Sequence, residues 1–321
     1  MILTVTLNPL LERRFLYDTI KIDSPNRGGV EQLKAGGKGI NVSRQLNLLG
    51  IDNLALTFLG GMNGKVLRNV LTEEGIKISV IKTKSDTREA AIILDNSTKT
   101  ITSYFSENSS ISLEEIEEFK RKLEKMIRNC EMVVFSGSSP SIEANSIFPF
   151  GIKLANEYGK FSILDTYGEH LNASLEAVPT IIHNNVNEIE SSLNCSLSNE
   201  KEKMEFLSGL YNKGIKQVYL TDGPNPFYIS NFDFHYKVEI PKIETLDSTG
   251  SGDCFTAGII YGLHKNLTFE ENVIVASSLG IVNASRFDIS KVNIQEIDKY
   301  KKLIKLYAVG KKMKTLDVTH R

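Results

Sequence analysis

The chain has 321 residues, 41% of them hydrophobic and 24% charged. That is enough apolar material for a large core, and it fits one large α/β domain over residues 1–321 with an appendage. With 38 basic against 39 acidic residues the formal charge is -1, which creates no field favouring nucleic acid or an anionic membrane, so any anion site has to be local.

Cys130, Cys195 and Cys254 stand far apart without metal-ligand spacing, as expected of packing residues in a reducing compartment. No signal-like segment precedes the first strand and no apolar run reaches membrane-spanning length, so a soluble cytoplasmic protein is expected.

In chain order, short β-rich apolar runs fall at residues 2–6, 54–59, 132–136, 161–165, 180–183 and 217–221. They alternate with helix-length amphipathic stretches, which predicts βαβ units, a mostly parallel sheet covered on both faces, and ligands gathered at the strands' C-terminal ends. Leu113 to Arg128 shows the helical period, with Ile116, Phe119, Leu123 and Ile127 every three or four residues; that stripe is predicted core. Residues 13–34 and 87–104 alternate like strands without a helix-length segment, and predict one small antiparallel sheet or two exposed hairpins. The lysines at 301, 302, 305, 311, 312 and 314 predict the solvated side of a final helix with a frayed end.

Three stretches suggest chemistry. Ala35-Gly36-Gly37-Lys38-Gly39-Ile40-Asn41 combines flexible backbone, a cation and an amide ahead of a helix-like run, as suits a phosphorylated sugar or, alone, a surface turn. Asn185 and Glu188 stand one turn apart, which suits either Mg²⁺ held through water or an ordinary helix cap. The segment Leu246 to Thr256 places Asp253 directly after Gly250, Ser251 and Gly252. Glycines and a helix start invite an anion, while the acid would repel a resting phosphate unless it removes a proton from an attacking hydroxyl; otherwise Asp253 is a first-turn acid.

Together with Asn8-Pro9, the two loops resemble the ribokinase-like (PfkB) family of sugar kinases nearly end to end. The resemblance implies a ribokinase-like fold in which 13–34 and 87–104 form a lid over the sugar, pairing with a second subunit's lid in a homodimer. It implies ATP and Mg²⁺ as cofactors, a ketohexose phosphate as substrate, and Asp253 as base beside the backbone of Gly250, Ser251 and Gly252. It assigns Arg27, Lys38 and Arg88 to the substrate's phosphate, with Arg27 also available to a neighbouring subunit, Glu12 and Asn41 to the sugar, Ser138 to the sugar or its phosphate, and Gly37 to substrate binding. It assigns His183, Asn185, Thr221, Gly223 and, near the adenine, Asn283 to the nucleotide, and Asn185 with Glu188 to the metal.

Three differences set the chain apart from the family pattern. Glu12 replaces an aspartate, which shifts the substrate reading. His183 and Asn184 replace a lysine and a proline, weakening the phosphate contact. Pro224-Asn225-Pro226 replaces a second glycine after Gly223, so the nucleotide rim must be rebuilt. A fructose 1-phosphate or tagatose 6-phosphate kinase is expected. The alternatives are a kinase for an unphosphorylated sugar or nucleoside, and a sugar-phosphate sensor without turnover; a nicotinamide dehydrogenase lacks its glycine fingerprint after the first strand.

Overall fold

The computed structural model describes residues 1–309. The chain runs β1 (Ile2–Thr6), β2 (Leu10–Tyr17), β3 (Val30–Gly36), α1 (Lys38–Leu48), β4 (Asn53–Gly60), α2 (Gly61–Glu73), β5 (Ile78–Thr83), β6 (Glu89–Asp95), β7 (Thr100–Phe105), α3 (Leu113–Arg128) and β8 (Met132–Ser136). It continues through α4 (Ile147–Glu157), β9 (Phe161–Asp165), α5 (Leu171–Glu176), β10 (Ile181–Asn185), α6 (Val186–Leu193), α7 (Glu200–Asn212), β11 (Gln217–Thr221), β12 (Phe227–Asn231) and β13 (Phe234–Glu239). It closes with α8 (Ser251–His264), α9 (Phe269–Ala284), α10 (Asp298–Lys301) and β14 (Lys305–Val309).

Ten strands form the large sheet in the order β14-β13-β12-β11-β10-β9-β8-β1-β4-β5. The seven strands from β11 to β5 run parallel, while β12, β13 and β14 add an antiparallel edge. Successive strand residues point to opposite faces, so Val133 and Phe135 join one core with Phe119 and Phe148, while Met132 and Val134 join the other with Val42 and Leu279. Both faces are therefore covered by helices, as the alternation of apolar runs predicts.

Helix α3 follows its sequence pattern closely. Ser112 and Glu115 form a reciprocal capping box, the expected apolar stripe is buried, and acids lead while Lys125 and Arg128 end the helix, matching its dipole. A second sheet, β3-β2-β6-β7, contains two antiparallel hairpin pairs joined through parallel β2 and β6. Its strands begin and end close to the two stretches predicted for it.

The predicted final helix is corrected: Lys301 ends the four-residue α10, and Lys305 opens a strand pairing with Glu239 of β13. Leu306 and Val309 pack on the core from that strand, and this burial together with the ladder to β13 outweighs the helical spacing of the lysines. Lys311, Lys312 and Lys314 lie outside the described residues. Among the described residues no helix is long and apolar enough to cross a membrane.

Helices α8 and α9 meet at Gly258, where an added Cβ would lie 2.5 Å from the Ala276 Cα. Because the obstacle is backbone, Gly258→Val should lower the unfolding free energy by about 1–3 kcal/mol, read as a reduced midpoint in urea.

Candidate active site

A cleft of about 760 Å³ opens at the C-terminal ends of the parallel strands, with β6 and β7 of the small sheet forming part of its wall. Fifteen of the seventeen sequence-predicted site residues line it: Glu12, Gly37, Lys38, Asn41, Arg88, Ser138, His183, Asn185, Glu188, Thr221, Gly223, Gly250, Ser251, Gly252 and Asp253. Arg27 and Asn283 do not.

Gly250 caps α8 with φ 77°, a left-handed conformation that glycine adopts without the Cβ penalty. Helix α8 therefore starts with first-turn N–H groups that have no intrahelical carbonyl, and the wall at this point carries the dipole's positive end. Asp253 sits in that turn, 3% exposed. Its Oδ2 accepts from Asn41 Nδ2 at 2.8 Å, while its buried Oδ1 has no partner.

The charges around Asp253 are unevenly shared. Lys38 Nζ donates to Asp165 Oδ1 at 2.6 Å and to Glu188 Oε1 at 2.8 Å. Asp165 is fully buried and also accepts from Thr256 at 3.0 Å. Burial pushes the Asp165 carboxyl upward, but Lys38 and His183 overcome this and hold it well below the usual carboxylate range. Burial likewise works against the Lys38 cation, and Asp165, Glu188 and Asp253 raise it regardless. Asp253 has no contact with the lysine comparable to these; burial first and the Asp165 charge second push it up to about 7.

Lys38, expected with Arg88 at the substrate's phosphate, is held by two carboxylates beside Asp253. Asn185 and Glu188 form a reciprocal capping box at the start of α6, so the helix-cap alternative accounts for their spacing. Among the described residues no group of three or more metal-ligating side chains clusters.

At the other end of the cleft, Arg88 is half-buried, with Nη2 on the Asn8 carbonyl at 3.2 Å and Nη1 on Asn108 Oδ1 at 3.4 Å. Its buried Nε has no partner, and burial pulls the guanidinium below its ordinary value. Asn8 donates to Ser138 at 3.1 Å. Glu12 fits because Gly36 lacks a Cβ, which would lie 2.5 Å from Glu12 Oε1, and Arg14 Nε binds its Oε2 at 2.9 Å.

His183 is built into the wall. It stacks on Phe255 with ring centroids 4.8 Å apart, and its nitrogens meet Thr256 at 3.0 Å and Thr221 at 3.3 Å. The turn after Gly223 closes through Asn225 N on Asp222 O at 3.0 Å, and Asp222 is anchored by Lys203. The replaced glycine therefore leaves a formed turn. Beyond it, Phe227, Ile243 and Ile281 give the cleft an apolar slot.

Two further expected residues lie outside the cleft lining. Arg27 is exposed in the loop between β2 and β3. Asn283 is 1% exposed and ties down the loop, donating to Thr249 O and Ser251 Oγ and accepting from Ser290 N. Sequence reasoning missed Asp165, Thr256 and Asn108. The acid ending β9 was the available signal for Asp165, whereas the other two have only their folded neighbours.

Comparison with known proteins shows the family and the fold. A family model described as pfkB family carbohydrate kinase matches residues 13–293. A tagatose-6-phosphate kinase of Staphylococcus epidermidis is 33% identical over 312 residues, covering 96% of this chain and 100% of that protein. The crystal structure of Escherichia coli phosphofructokinase-2 in complex with potassium superposes with a TM-score of 0.85 at 22% identity, covering 94% and 98% of the two chains. The same enzyme with fructose-6-phosphate gives 0.82, at the same identity and coverage.

With its carboxyl raised to about 7, folded Asp253 keeps a proton between about pH 4 and 7 that the unfolded chain has released, so its contribution to stability falls as pH rises through that window. Asp253→Asn should therefore raise the melting temperature. The gain should be absent below about pH 4, grow up to pH 7 and stay level above it, as read by calorimetry across pH.

Proposed function

The chain belongs to the pfkB family of carbohydrate kinases, and we propose that it transfers the γ-phosphoryl group of ATP to a hydroxyl of a ketohexose phosphate. The observation that carries this reading is the buried Asp253 carboxylate, with one oxygen on Asn41 and the other unpartnered at the N-terminus of α8. The free oxygen takes the proton of the attacking hydroxyl as the new O–P bond forms, and ADP leaves with the bridging oxygen. The first-turn N–H groups after Gly250 stabilise charge on the transferring group. Lys38 serves the same group, since its carboxylate partners hold it beside Asp253.

Arg88 with its spare Nε fits the phosphate already on the sugar, and Asn8, Glu12 and Ser138 fit its hydroxyls. Tagatose 6-phosphate and fructose 1-phosphate are the leading substrates. The full-length Staphylococcus relative supports the first, and the Ala35 to Arg44 run the second. Thr221, Gly223 and the slot with Ile243 and Ile281 fit the nucleotide.

A hydrated Mg²⁺ suits this donor set. Glu188 is partly exposed on the cleft, and a single carboxylate acting through water with Asn185 matches an ion that keeps much of its hydration shell. When bound, the ion neutralises phosphate charge.

The small sheet is proposed as a lid that excludes water. Its exposed Val30 and Tyr104 fit pairing with a second copy. The three unpaired cysteines suit the cytoplasm.

Mg²⁺-dependent ADP release should be stimulated by one phosphorylated ketose among fructose 1-phosphate, fructose 6-phosphate, tagatose 6-phosphate, fructose, ribose and adenosine. Preference for an unphosphorylated compound would overturn the role of Arg88. Asp253→Asn should lower kcat roughly 10²–10⁴-fold with ATP binding retained by calorimetry. Arg88→Ala should raise KM for the sugar phosphate roughly tenfold or more while KM for ATP holds.

A further inference from the structure

Asn41 is an amide whose two ends are not interchangeable. Its Nδ2 donates to Asp253 Oδ2 at 2.8 Å, and its Oδ1 accepts from Arg44 Nη1 at 2.6 Å. Arg44 is itself immobilised: Nη2 donates to the Ala35 carbonyl at 2.6 Å and to Glu74 Oε2 at 2.8 Å, and Nε reaches the same oxygen at 2.9 Å. Only 5% of Arg44 is exposed, and Lys291 lies 3.6 Å from the other Glu74 oxygen.

We propose that Arg44, braced by Glu74, is a positioning residue for the phosphoryl transfer: it fixes the Asn41 amide so that its N–H group faces Asp253 and only Oδ1 of the base is free. A guanidinium has donors and no acceptor. Turning the amide over would set its NH₂ against those donors and its oxygen against the Asp253 carboxylate, so one orientation is strongly preferred. Asp253 consequently presents one oxygen to solvent-excluded space and keeps the other bonded. Arg44 also grips the backbone of Ala35 in β3, so the orientation of the base's partner depends on the seating of this edge strand of the small sheet. The role as such rests on Asp253 being the proton acceptor.

The other charged groups facing Asp253 are Lys38 from α1, Asp165 from β9 and Glu188 from α6. Arg44→Lys leaves these in place and keeps its own positive charge, but replaces the fork by one ammonium that cannot serve Asn41, Ala35 and Glu74 together. A hydrogen bond to the ionised form favours it, so releasing Asn41 makes Asp253 harder to ionise.

Arg44→Lys should lower kcat roughly ten- to a hundredfold, leave KM for ATP unchanged, and move the acidic limb of kcat/KM to higher pH. A variant with a lower melting temperature but an unmoved limb and kcat would be merely structural, and the proposal would fall. A second readout needs no substrate: the melting-temperature gap between each protein and its Asp253→Asn derivative should level off at higher pH in the Arg44→Lys background, and levelling off at the same pH would also overturn the proposal. If no sugar phosphate stimulates ADP release, the kinase reading fails while this comparison still decides the orientation of Asn41. Should Arg44→Lys not fold, Glu74→Gln carries both readouts, with a smaller shift in the same direction expected and no shift contradicting.

Discussion

Three carboxylates share one lysine at the centre of this molecule, and the rest of the cleft is organised around that shortage. Lys38 satisfies Asp165 and Glu188 at 2.6 and 2.8 Å, and Asp253 is left buried beside them without an equivalent partner. Charges that repel in a site of low dielectric cannot all ionise with equal ease. The lysine therefore holds Asp165 ionised and leaves Asp253 as the group poised near neutrality, where a proton acceptor is most effective. Four elements deliver these groups: the start of α1, the end of β9, the first turn of α6 and the first turn of α8. Their registration is set by parallel pairing across β8, β9 and β10 and by the close packing of α8 on α9.

Much of the scaffold was legible in the sequence because it depends on local periodicity. The strands β1, β8, β9 and β11 and the helix α3 appear at the expected residues, since uninterrupted apolar runs and an apolar stripe each have one good solution in a doubly covered sheet. The antiparallel edge was not legible. Strand β12 is a short buried run, β13 and β14 are partly exposed strands whose mixed residues carry little pattern, and lysine spacing near 301–305 imitated a helix.

The candidate site was legible where backbone chemistry dictates residue type. Gly250 requires its left-handed conformation, and the acid that follows is conspicuous. Contacts between distant segments were not legible: Lys38 finds Asp165 127 residues away, and Asn41 finds Asp253 212 residues away. Asn283 shows the converse, a polar residue read as facing ligand that instead holds the loop from behind. The departures in sequence prove locally compensated. Glu12 uses the space above Gly36 and the charge of Arg14, and His183 exchanges a flexible cation for a stacked ring tied to Thr221 and Thr256.

The claim that Asp253 is kept near neutrality to receive the hydroxyl proton is tested most directly by single-turnover phosphoryl transfer from Mg²⁺-ATP to the preferred sugar phosphate, followed across pH with both substrates saturating. The rate should be level in mild alkali and fall about tenfold for each pH unit below an inflection near neutrality, as expected for one essential base. A rate of chemistry that stays level from pH 8 to below pH 5 would contradict the account, because the base would then be ionised far below neutrality despite its burial and the neighbouring Asp165 charge.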